Sequence, residues 1–403
     1  MKRQLPPLTG IRFFLAIWVV IYHQCSADQI WFAALGLPSS ITSLLLTGYA
    51  AVSIFFVLSG FVLAYNYNLG AKWSRRETWK FAAARFSRIY PAYFLGLLCL
   101  LPLVTYRLAL RPSAEGAVTE AATGILNFTL LQSWLPQTAL TWNDPGWSLS
   151  NEVFFYACFP FAGVLLWRLS TPRAFAAWMA ALWGLSLLAP LWSVWLPVPG
   201  FGDVPATVPM SAISPWTNIV RYNPLVRLPE FCVGILVGRI FSWMRARGTR
   251  LEGRGYWLYL PGFAAAILFL TQAHRLPYPL IHNGLLLPVY GCIVLGLAFS
   301  GGLLARWLSG SALVFLGNAS YSMYILHVPI FSWLSIYWKR VLLAETSGGL
   351  WLAVYLIAVV VISSFVYKAV EEPLHYRLKR QLNQRNKSDV AMPALPQPEL
   401  PIS

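Results

Sequence analysis

Apolar residues occur in long runs along most of this chain, and short polar stretches separate the runs. A helix needs about 20 mainly apolar residues to cross a bilayer. Ten runs reach or approach that length, so the pattern predicts an all-α polytopic membrane protein with about ten transmembrane helices. These spans are expected near residues 8–26, 43–66, 90–109, 148–168, 174–196, 224–244, 256–273, 280–299, 318–338 and 349–369.

A further apolar piece at 124–135 is shorter, and Asn127 and Gln132 interrupt it. A short re-entrant or interfacial helix fits that length better than a full span. The terminal stretch AMPALPQPELPIS repeats proline and has almost no apolar periodicity, which is typical of disordered chain. We therefore predict one transmembrane domain over 1–377 and a disordered cytoplasmic tail over 378–403.

The basic residues orient the predicted spans. The segment from Lys72 to Arg88 is strongly basic, and cytoplasmic loops of membrane proteins carry an excess of Lys and Arg. Alternation from that loop predicts both termini in the cytoplasm and further cytoplasmic loops that are also basic, near 168–173, 245–254, 306 and 377–387. Lys339 and Arg340 fall on the outer side and disagree mildly with this orientation.

Composition agrees with a membrane location. The chain has 403 residues, of which 58% are hydrophobic and 11% charged, whereas soluble domains have roughly 25% charged residues. Thirty Lys and Arg outnumber fourteen Asp and Glu, and basic cytoplasmic loops explain this excess better than nucleic-acid binding does. The first run lacks a signal-cleavage pattern, so we expect a retained helix. The five scattered cysteines have no metal-binding spacing.

Two ionisable residues interrupt the first span. Arg12 and His23 are eleven residues apart, which puts them on one helix face with a rise of roughly 16 Å between them. Charged and titratable groups inside a membrane usually face the protein interior or a wet cavity. They could therefore line one tunnel at two depths. Two alternatives stay open: Arg12 extends to the lipid headgroups on the inner side, and His23 forms a hydrogen bond to a neighbouring helix.

Glu152 is a second intramembrane candidate, near the outer start of its span. Ser148 and Tyr156 are four residues before and after it and share its helix face, and Asn151 is adjacent. A carboxylate beside an imidazole orients the ring and raises its basicity, so we expect Glu152 at a depth similar to His23 and supporting proton removal from an alcohol. A purely structural ion pair is the alternative.

Arg85 and Arg88 are three residues apart at the cytoplasmic entrance of the third span. Guanidinium groups bind phosphate oxygens in two-point geometry, so this pair suits a phosphorylated donor that arrives from the cytoplasm. Anchoring of the span by the positive-inside rule explains the same residues equally well.

Seven stretches form an ordered set from about residue 5 to residue 377: LPPLTGIRFFLAIWVVIYH, SIFFVLSGFVLAY, FAAARFSRIYPAYF, PGWSLSNEVFFYACFPF, LPEFCVGILVGRI, FLGNASYSMYILHVPIF and VEEPLHYR. Together they resemble the membrane-bound acyltransferase family 3, the polytopic O-acyltransferases. The resemblance implies an enzyme that moves an acyl group, commonly acetyl, from cytoplasmic coenzyme A to a hydroxyl, often of an extracytoplasmic glycan.

The resemblance also assigns residues. Arg12 and His23 match the family's Arg-x10-His pair, with His23 as the essential histidine, and Arg85 and Arg88 match its arginine pair, expected to help hold the acyl donor. Glu152 matches the acidic position that follows the Trp-Ser-Leu motif. We therefore expect His23 and Glu152 to be catalytic, and Arg12 to bind the donor together with Arg85 and Arg88. The positions expected to line the tunnel or the acceptor site are Trp147, Ser148, Asn151, Tyr156, Tyr324 and His327. Asn151 stands where relatives more often have Val. Some relatives carry a fused hydrolase-like domain, for which we see no room after Glu372, so the chain is expected to act alone or with partners.

The expected co-substrate is acyl-CoA, with no tightly bound cofactor and no metal, because direct transfer needs neither. The expected partners are a carbohydrate acceptor and the lipid bilayer, without nucleic acid, and the expected location is a bacterial inner membrane. The acyl group, the acceptor hydroxyl, an acyl-enzyme step and the oligomeric state stay open. Alternatives are acylation of a small secondary metabolite or lipid, and a proton-coupled secondary transporter that uses Arg12, His23 and Glu152 as a relay.

Overall fold

The computed structural model describes residues 5–27, 35–67, 74–110, 112–195, 217–342, 348–374 and 376–377. These residues are mostly helical, and no β-strand occurs among them. The α-helices of the described residues are α1 (Pro6–Ala27), α2 (Ser39–Leu46), α3 (Ala51–Asn66), α4 (Arg75–Leu110), α5 (Ala114–Phe128), α6 (Gly146–Trp167), α7 (Pro172–Trp195), α8 (Thr217–Tyr222), α9 (Pro224–Ala246), α10 (Tyr256–Thr271), α11 (Tyr278–His282), α12 (Leu287–Phe299), α13 (Gly302–Leu308), α14 (Ser311–Arg340) and α15 (Gly348–Val366).

The all-α polytopic architecture predicted from the sequence is confirmed. Within the described ranges, eight helical segments are long and apolar enough to cross a membrane. The two other predicted spans, 224–244 and 256–273, are also helical and correspond to α9 and α10. Helix α9 carries several charged side chains, and α10 has only 16 residues, so neither belongs to the eight. The predicted tail 378–403 lies outside the described residues.

The apolar piece at 124–135 is not a single short helix, in contrast to the prediction. Helix α5 ends at Phe128, Leu130 has a left-handed φ of 59°, and a 3₁₀ turn covers Gln132–Trp134. The two polar residues that interrupt the run are fully buried. Asn127 donates to the Thr141 hydroxyl at 2.8 Å, so a side-chain hydrogen bond joins the end of α5 to the chain that follows this segment.

Residues 129–145 therefore form a compact connection between α5 and α6. We name it the outer cap, and we use inner and outer below, after the orientation predicted from the basic loops. Its polar side chains bind the neighbouring helices: Gln132 Nε2 donates to the Tyr93 hydroxyl at 3.2 Å, and Ser133 Oγ donates to the Trp147 carbonyl at 2.8 Å. Asn143 Nδ2 donates to the carbonyl oxygen of Ile325 in α14 at 3.0 Å. The outer cap is thus fixed to α4, α6 and α14.

Glycine contacts set the position of the helices that carry the candidate residues. A β-carbon on Gly317 of α14 would lie 2.0 Å from the carbonyl oxygen of Thr9 in α1. A β-carbon on Gly234 of α9 would lie 2.1 Å from the carbonyl oxygen of Val57 in α3. Because no side chain fits at either crossing, the helix backbones touch there. Helices α1 and α14 are consequently in backbone contact at the first crossing, and α3 and α9 at the second.

Candidate active site

An inner cavity lies between α1, α3, α4, α6 and α14. Three arginines line it: Arg12 from α1, and Arg85 and Arg88 from the start of α4. Arg12 lies eleven positions before His23 in α1, and His23 does not line this cavity, so the early part of that helix forms its wall. Its other polar lining residues are Ser59, Ser148, Glu152, Tyr156, Ser320, Tyr321 and Tyr324.

Glu152 is the carboxylate of the inner cavity. Its Oε1 accepts a hydrogen bond from the Ser59 hydroxyl at 2.9 Å and another from the Tyr156 hydroxyl. The negative charge of Glu152 also acts on Arg12 across the cavity. With three guanidinium groups and one carboxylate, the inner cavity has a positive net charge.

Arg85 has bonding capacity that the protein does not use. Its Nε is buried and has no hydrogen-bond partner among the described residues, while the guanidinium group lies 5.8 Å from the ring centre of Tyr67. A buried donor without a partner is costly. An anionic ligand would satisfy it, so the inner cavity is suited to bind phosphate oxygens.

An outer cavity contains His23. Its polar lining comes from His23, Asp144, Arg221 and His282, and its aromatic lining from Tyr22, Tyr49, Trp147, Tyr222 and Tyr324. The remaining lining residues are Val19, Val52 and Leu140. The outer cavity is thus enclosed by α1, the start of α3, the outer cap, α6, α8, α11 and α14. Val52 and Tyr324 line both cavities and form the wall between them.

His23 contacts a second imidazole. The ring centres of His23 and His327 are 4.9 Å apart, with the planes inclined at 57°. His327 Nδ1 lies 2.7 Å from the Tyr324 carbonyl oxygen, and because a carbonyl can only accept, Nδ1 carries the proton. In the neutral ring Nε2 is then an acceptor, and it has no partner within the described part of the chain.

The expected contact between Glu152 and His23 is not found. Glu152 lines the inner cavity and His23 the outer one. The reason is the helix face: Glu152 follows Ser148 by four residues and shares its side of α6, which faces the inner cavity, whereas Trp147 is about 140° away from Glu152 around the helix and faces the outer one. The sequence predicted how far along its helix Glu152 lies. It did not predict which side chains that face of the helix contacts.

The other sequence-predicted residues are distributed between the two cavities and the core. Ser148 and Tyr156 line the inner cavity, and Trp147 lines the outer one. Asn151 lines neither cavity: it is fully buried, and within the described ranges neither its amide oxygen nor its amide nitrogen has a hydrogen-bond partner. His327 lies behind His23 and lines neither cavity.

Sequence reasoning missed an ion pair beneath the outer cavity. Arg227 and Glu230 of α9 lie 3.0 Å apart and are almost completely buried. Arg227 also donates to the Ser53 hydroxyl at 3.0 Å and to the His282 carbonyl at 2.6 Å. These bonds tie α9 to α3 and α11. The rule applied to Arg12, that charges inside a span are candidates, would also have found this pair.

Asp144 and Arg221 of the outer cavity were also missed. Asp144 lies in the outer cap and Arg221 in the short helix α8, and neither belongs to a long apolar run whose periodicity could be recognised. Burial raises the pKa of the Asp144 carboxyl to about 6, and the positive charge of Arg107 opposes part of that rise. The outer cavity therefore contains a carboxyl group, although it is not the one expected from the sequence.

With the two cavities described, the comparisons with known proteins define the class of the molecule. The profile of a family described as an acyltransferase domain matches residues 7–368. The chain belongs to this family, and it is an integral membrane O-acyltransferase. The resemblance found in the sequence is confirmed. Of the two classes considered, an acyltransferase and a secondary transporter, the family supports the acyltransferase.

Particular relatives share nearly the whole chain. It is 27% identical to the acyltransferase MdmB of Streptomyces mycarofaciens, over 94% of this chain and 93% of that protein. It is 23% identical to the O-acetyltransferase OatA of Staphylococcus aureus, over 92% of this chain and 57% of that protein. It is 23% identical to the peptidoglycan O-acetyltransferase OatA of Listeria monocytogenes, over 93% of this chain and 56% of that protein. The chain thus spans little more than half of either OatA protein. No solved structure matches it.

Proposed function

We propose that this protein transfers an acyl group, acetyl in the first instance, from acyl-CoA in the inner cavity to a glycan hydroxyl in the outer cavity. The observation that carries the proposal is the arrangement of two chemically different cavities against one wall, formed by Val52 and Tyr324. A reaction between a donor and an acceptor from opposite sides of a membrane needs such an arrangement.

The donor is assigned from charge. Coenzyme A carries phosphates, and Arg12, Arg85 and Arg88 give the inner cavity its positive net charge. The orientation predicted from the basic loops places the start of α4 on the cytoplasmic side, where acyl-CoA is made. The protein would then lie in a bacterial inner membrane, with its donor cavity open to the cytoplasm.

The acceptor is assigned from the relatives and from the outer cavity. Two relatives are named O-acetyltransferases, and one of those names specifies peptidoglycan. The outer cavity has aromatic walls, with Trp147 and Tyr222 in contact at 4.6 Å between ring centres. Aromatic rings of this kind pack against the apolar faces of sugars, which supports a glycan acceptor.

In the proposed mechanism His23 is the general base. It takes the proton of the acceptor hydroxyl, the oxygen attacks the thioester carbon, the carbon–oxygen bond forms and the carbon–sulfur bond breaks. The thiolate of coenzyme A leaves and takes up a proton. His327 takes the positioning role that the sequence assigned to Glu152, because its Nε2 is free to accept a hydrogen bond beside His23. Glu152 instead balances the arginines of the donor cavity.

Membrane vesicles of opposite sidedness test this proposal. Inside-out vesicles expose the cytoplasmic face, so added [¹⁴C]acetyl-CoA should label vesicle glycan in a form that mild alkali releases, as expected for an ester. Sealed right-side-out vesicles with the same protein content should give no label until they are permeabilised. Equal labelling of both preparations, or no alkali-labile label in either, would contradict the proposed donor side or the reaction itself.

A further inference from the structure

Arg221 of α8 has unused hydrogen-bonding capacity in the outer cavity. The side chain is only 3% exposed and lines the cavity. Its guanidinium group packs on the rings of Tyr222 and Tyr278, at 4.5 and 5.2 Å from the ring centres. Nη1 reaches Asn218 Oδ1 only at 3.4 Å, and Nε has no hydrogen-bond partner among the described residues. A buried donor without a partner is costly, and an oxygen atom of a ligand in the cavity would satisfy it.

Asp144 lines the same cavity from the outer cap. The adjacent Asn143 is bonded to α14, and Trp142 has a left-handed φ of 59°. A non-glycine residue in this conformation is held by its surroundings, and such residues cluster at functional sites. The outer cap therefore holds Asp144 at a fixed place in the cavity wall.

The two groups have opposite hydrogen-bonding character. A guanidinium group only donates hydrogen bonds, and an ionised carboxylate only accepts them. A hydroxyl can donate to Asp144, and a neighbouring ether, carbonyl or hydroxyl oxygen can accept from Arg221. A carboxylate or phosphate on the acceptor would be attracted by Arg221 but repelled by Asp144, so the pair favours a neutral molecule.

We propose that Arg221 and Asp144 bind two oxygen atoms of the acceptor on either side of the reacting hydroxyl, and that the outer cavity thereby selects a neutral polyhydroxylated ring over a simple alcohol. This inference rests on the proposed function, because it assumes that the outer cavity takes the acceptor. Arg221 and Asp144, which the sequence did not predict as site residues, would then select the substrate. His23 would perform the chemistry.

The test compares two probe alcohols in proteoliposomes with acetyl-CoA. Methyl β-D-glucopyranoside is a neutral polyhydroxylated ring, and cyclohexylmethanol is a ring of similar size with one hydroxyl. We expect the wild-type protein to prefer the glycoside. In Asp144→Asn and Arg221→Gln the KM for the glycoside should rise on the order of ten- to one-hundredfold, the loss expected for a hydrogen bond to a charged group. Use of cyclohexylmethanol and the KM for acetyl-CoA should stay near wild type.

Matched controls separate binding from folding. Glu115→Gln and Arg275→Gln remove the same charges at exposed positions outside the outer cavity and should change neither KM. Arg221→Lys retains the charge but not the forked donor geometry, so its KM for the glycoside should lie between wild type and Arg221→Gln. Unchanged acetyl-CoA KM values show that the variants are folded.

The outcomes that overturn the inference differ from those that overturn the proposed function. Equal losses for both alcohols, a fall in kcat without a change in KM, or a wild-type preference for cyclohexylmethanol would exclude selection by Arg221 and Asp144 and leave the acyl transfer intact. If the wild-type protein transfers acetyl to neither probe and also fails the vesicle experiment, the proposed function itself falls.

Discussion

The inner and outer cavities are built largely by the same helices but have different chemistry. Helix α1 contributes Arg12 to the inner cavity and His23 to the outer one, and α6 contributes Glu152 and Trp147 in the same way. The inner cavity has three arginines against one carboxylate. The outer cavity has one arginine, one carboxylate and two imidazoles among aromatic side chains. Charge therefore distinguishes the inner cavity, proposed to bind the anionic donor, from the outer cavity, proposed to bind a neutral acceptor.

The wall between the cavities is as important as the difference between them. Val52 and Tyr324 belong to both, and the Tyr324 hydroxyl donates to the carbonyl oxygen of Pro145 at 3.4 Å. Because Pro145 ends the outer cap, the wall is tied to the acceptor side. Four variants test whether the two cavities have the separate roles that their chemistry indicates.

The largest effect is expected from His23→Ala in the outer cavity. Loss of a general base typically costs on the order of 10²- to 10⁴-fold in rate, so acetyl transfer to the acceptor should fall by that order while acetyl-CoA binding persists. The measurement is labelled acetyl incorporation alongside equilibrium binding of labelled acetyl-CoA. His274→Ala is the matched control, because His274 bonds Ser43 at 3.0 Å and lines neither cavity. Near-normal transfer by a well-expressed His23→Ala protein would remove His23 from the mechanism.

The second effect concerns donor binding in the inner cavity. In Arg85→Ala with Arg88→Ala, two charge-assisted contacts to phosphate would be lost, and the KM for acetyl-CoA should rise on the order of ten- to one-hundredfold. Steady-state kinetics with varied acetyl-CoA provide the measurement. Arg75→Ala with Arg76→Ala removes the same charges from exposed positions earlier in α4. An equal rise in this control would mean that total basic charge, rather than the cavity, determines donor affinity.

A smaller effect is expected from Glu152→Gln. The direction of the change in KM for acetyl-CoA shows whether Glu152 acts in the inner cavity or in the chemistry of His23. Removing the negative charge that faces Arg12 makes the inner cavity more positive, so the KM for acetyl-CoA should fall by up to about fivefold. Glu252→Gln, an exposed substitution in the loop before α10, should leave it unchanged. Loss of transfer rate with an unchanged KM for acetyl-CoA would instead place Glu152 in the chemistry of His23, as the sequence pattern predicted.

The smallest of the four effects should come from opening the wall. Tyr324→Ala joins the two cavities, and water from the outer cavity should then reach the thioester, so hydrolysis of acetyl-CoA without acceptor should increase modestly. Tyr324→Phe keeps the ring and should retain the wild-type hydrolysis rate. Release of free coenzyme A in the absence of acceptor measures both variants. If Tyr324→Ala hydrolyses no more acetyl-CoA than Tyr324→Phe, Tyr324 is not the barrier.

The segment at 124–135 shows where sequence patterns fail. Its apolar content predicted a short helix, but Asn127 and Gln132 are buried and bonded to Thr141 and Tyr93. A polar residue that interrupts an apolar run can mark a helix end or a buried hydrogen bond. Only the position of the partner side chains, far apart in sequence, distinguishes the two.

The sequence by itself determined the helical membrane architecture, the family and most of the charged residues of the inner cavity. Long apolar runs, basic loops and helical spacing are local properties, so they can be recognised without contacts. The spacing that pairs Arg85 with Arg88 is such a local property. Arg12 joined them as an expected donor-binding residue only after the family resemblance was considered, and all three line the inner cavity.

Only the tertiary structure decided which groups meet. Glu152 lies with the arginines and not with His23, whose neighbour is His327 from a helix some 300 residues later. Asp144 reaches the outer cavity from the outer cap, and Arg221 reaches it from α8. Periodicity gives the face of each helix relative to its own axis, but rotation and contact between helices depend on packing, as at Gly317 against Thr9. Side-chain partners across helices are therefore set by the assembled fold.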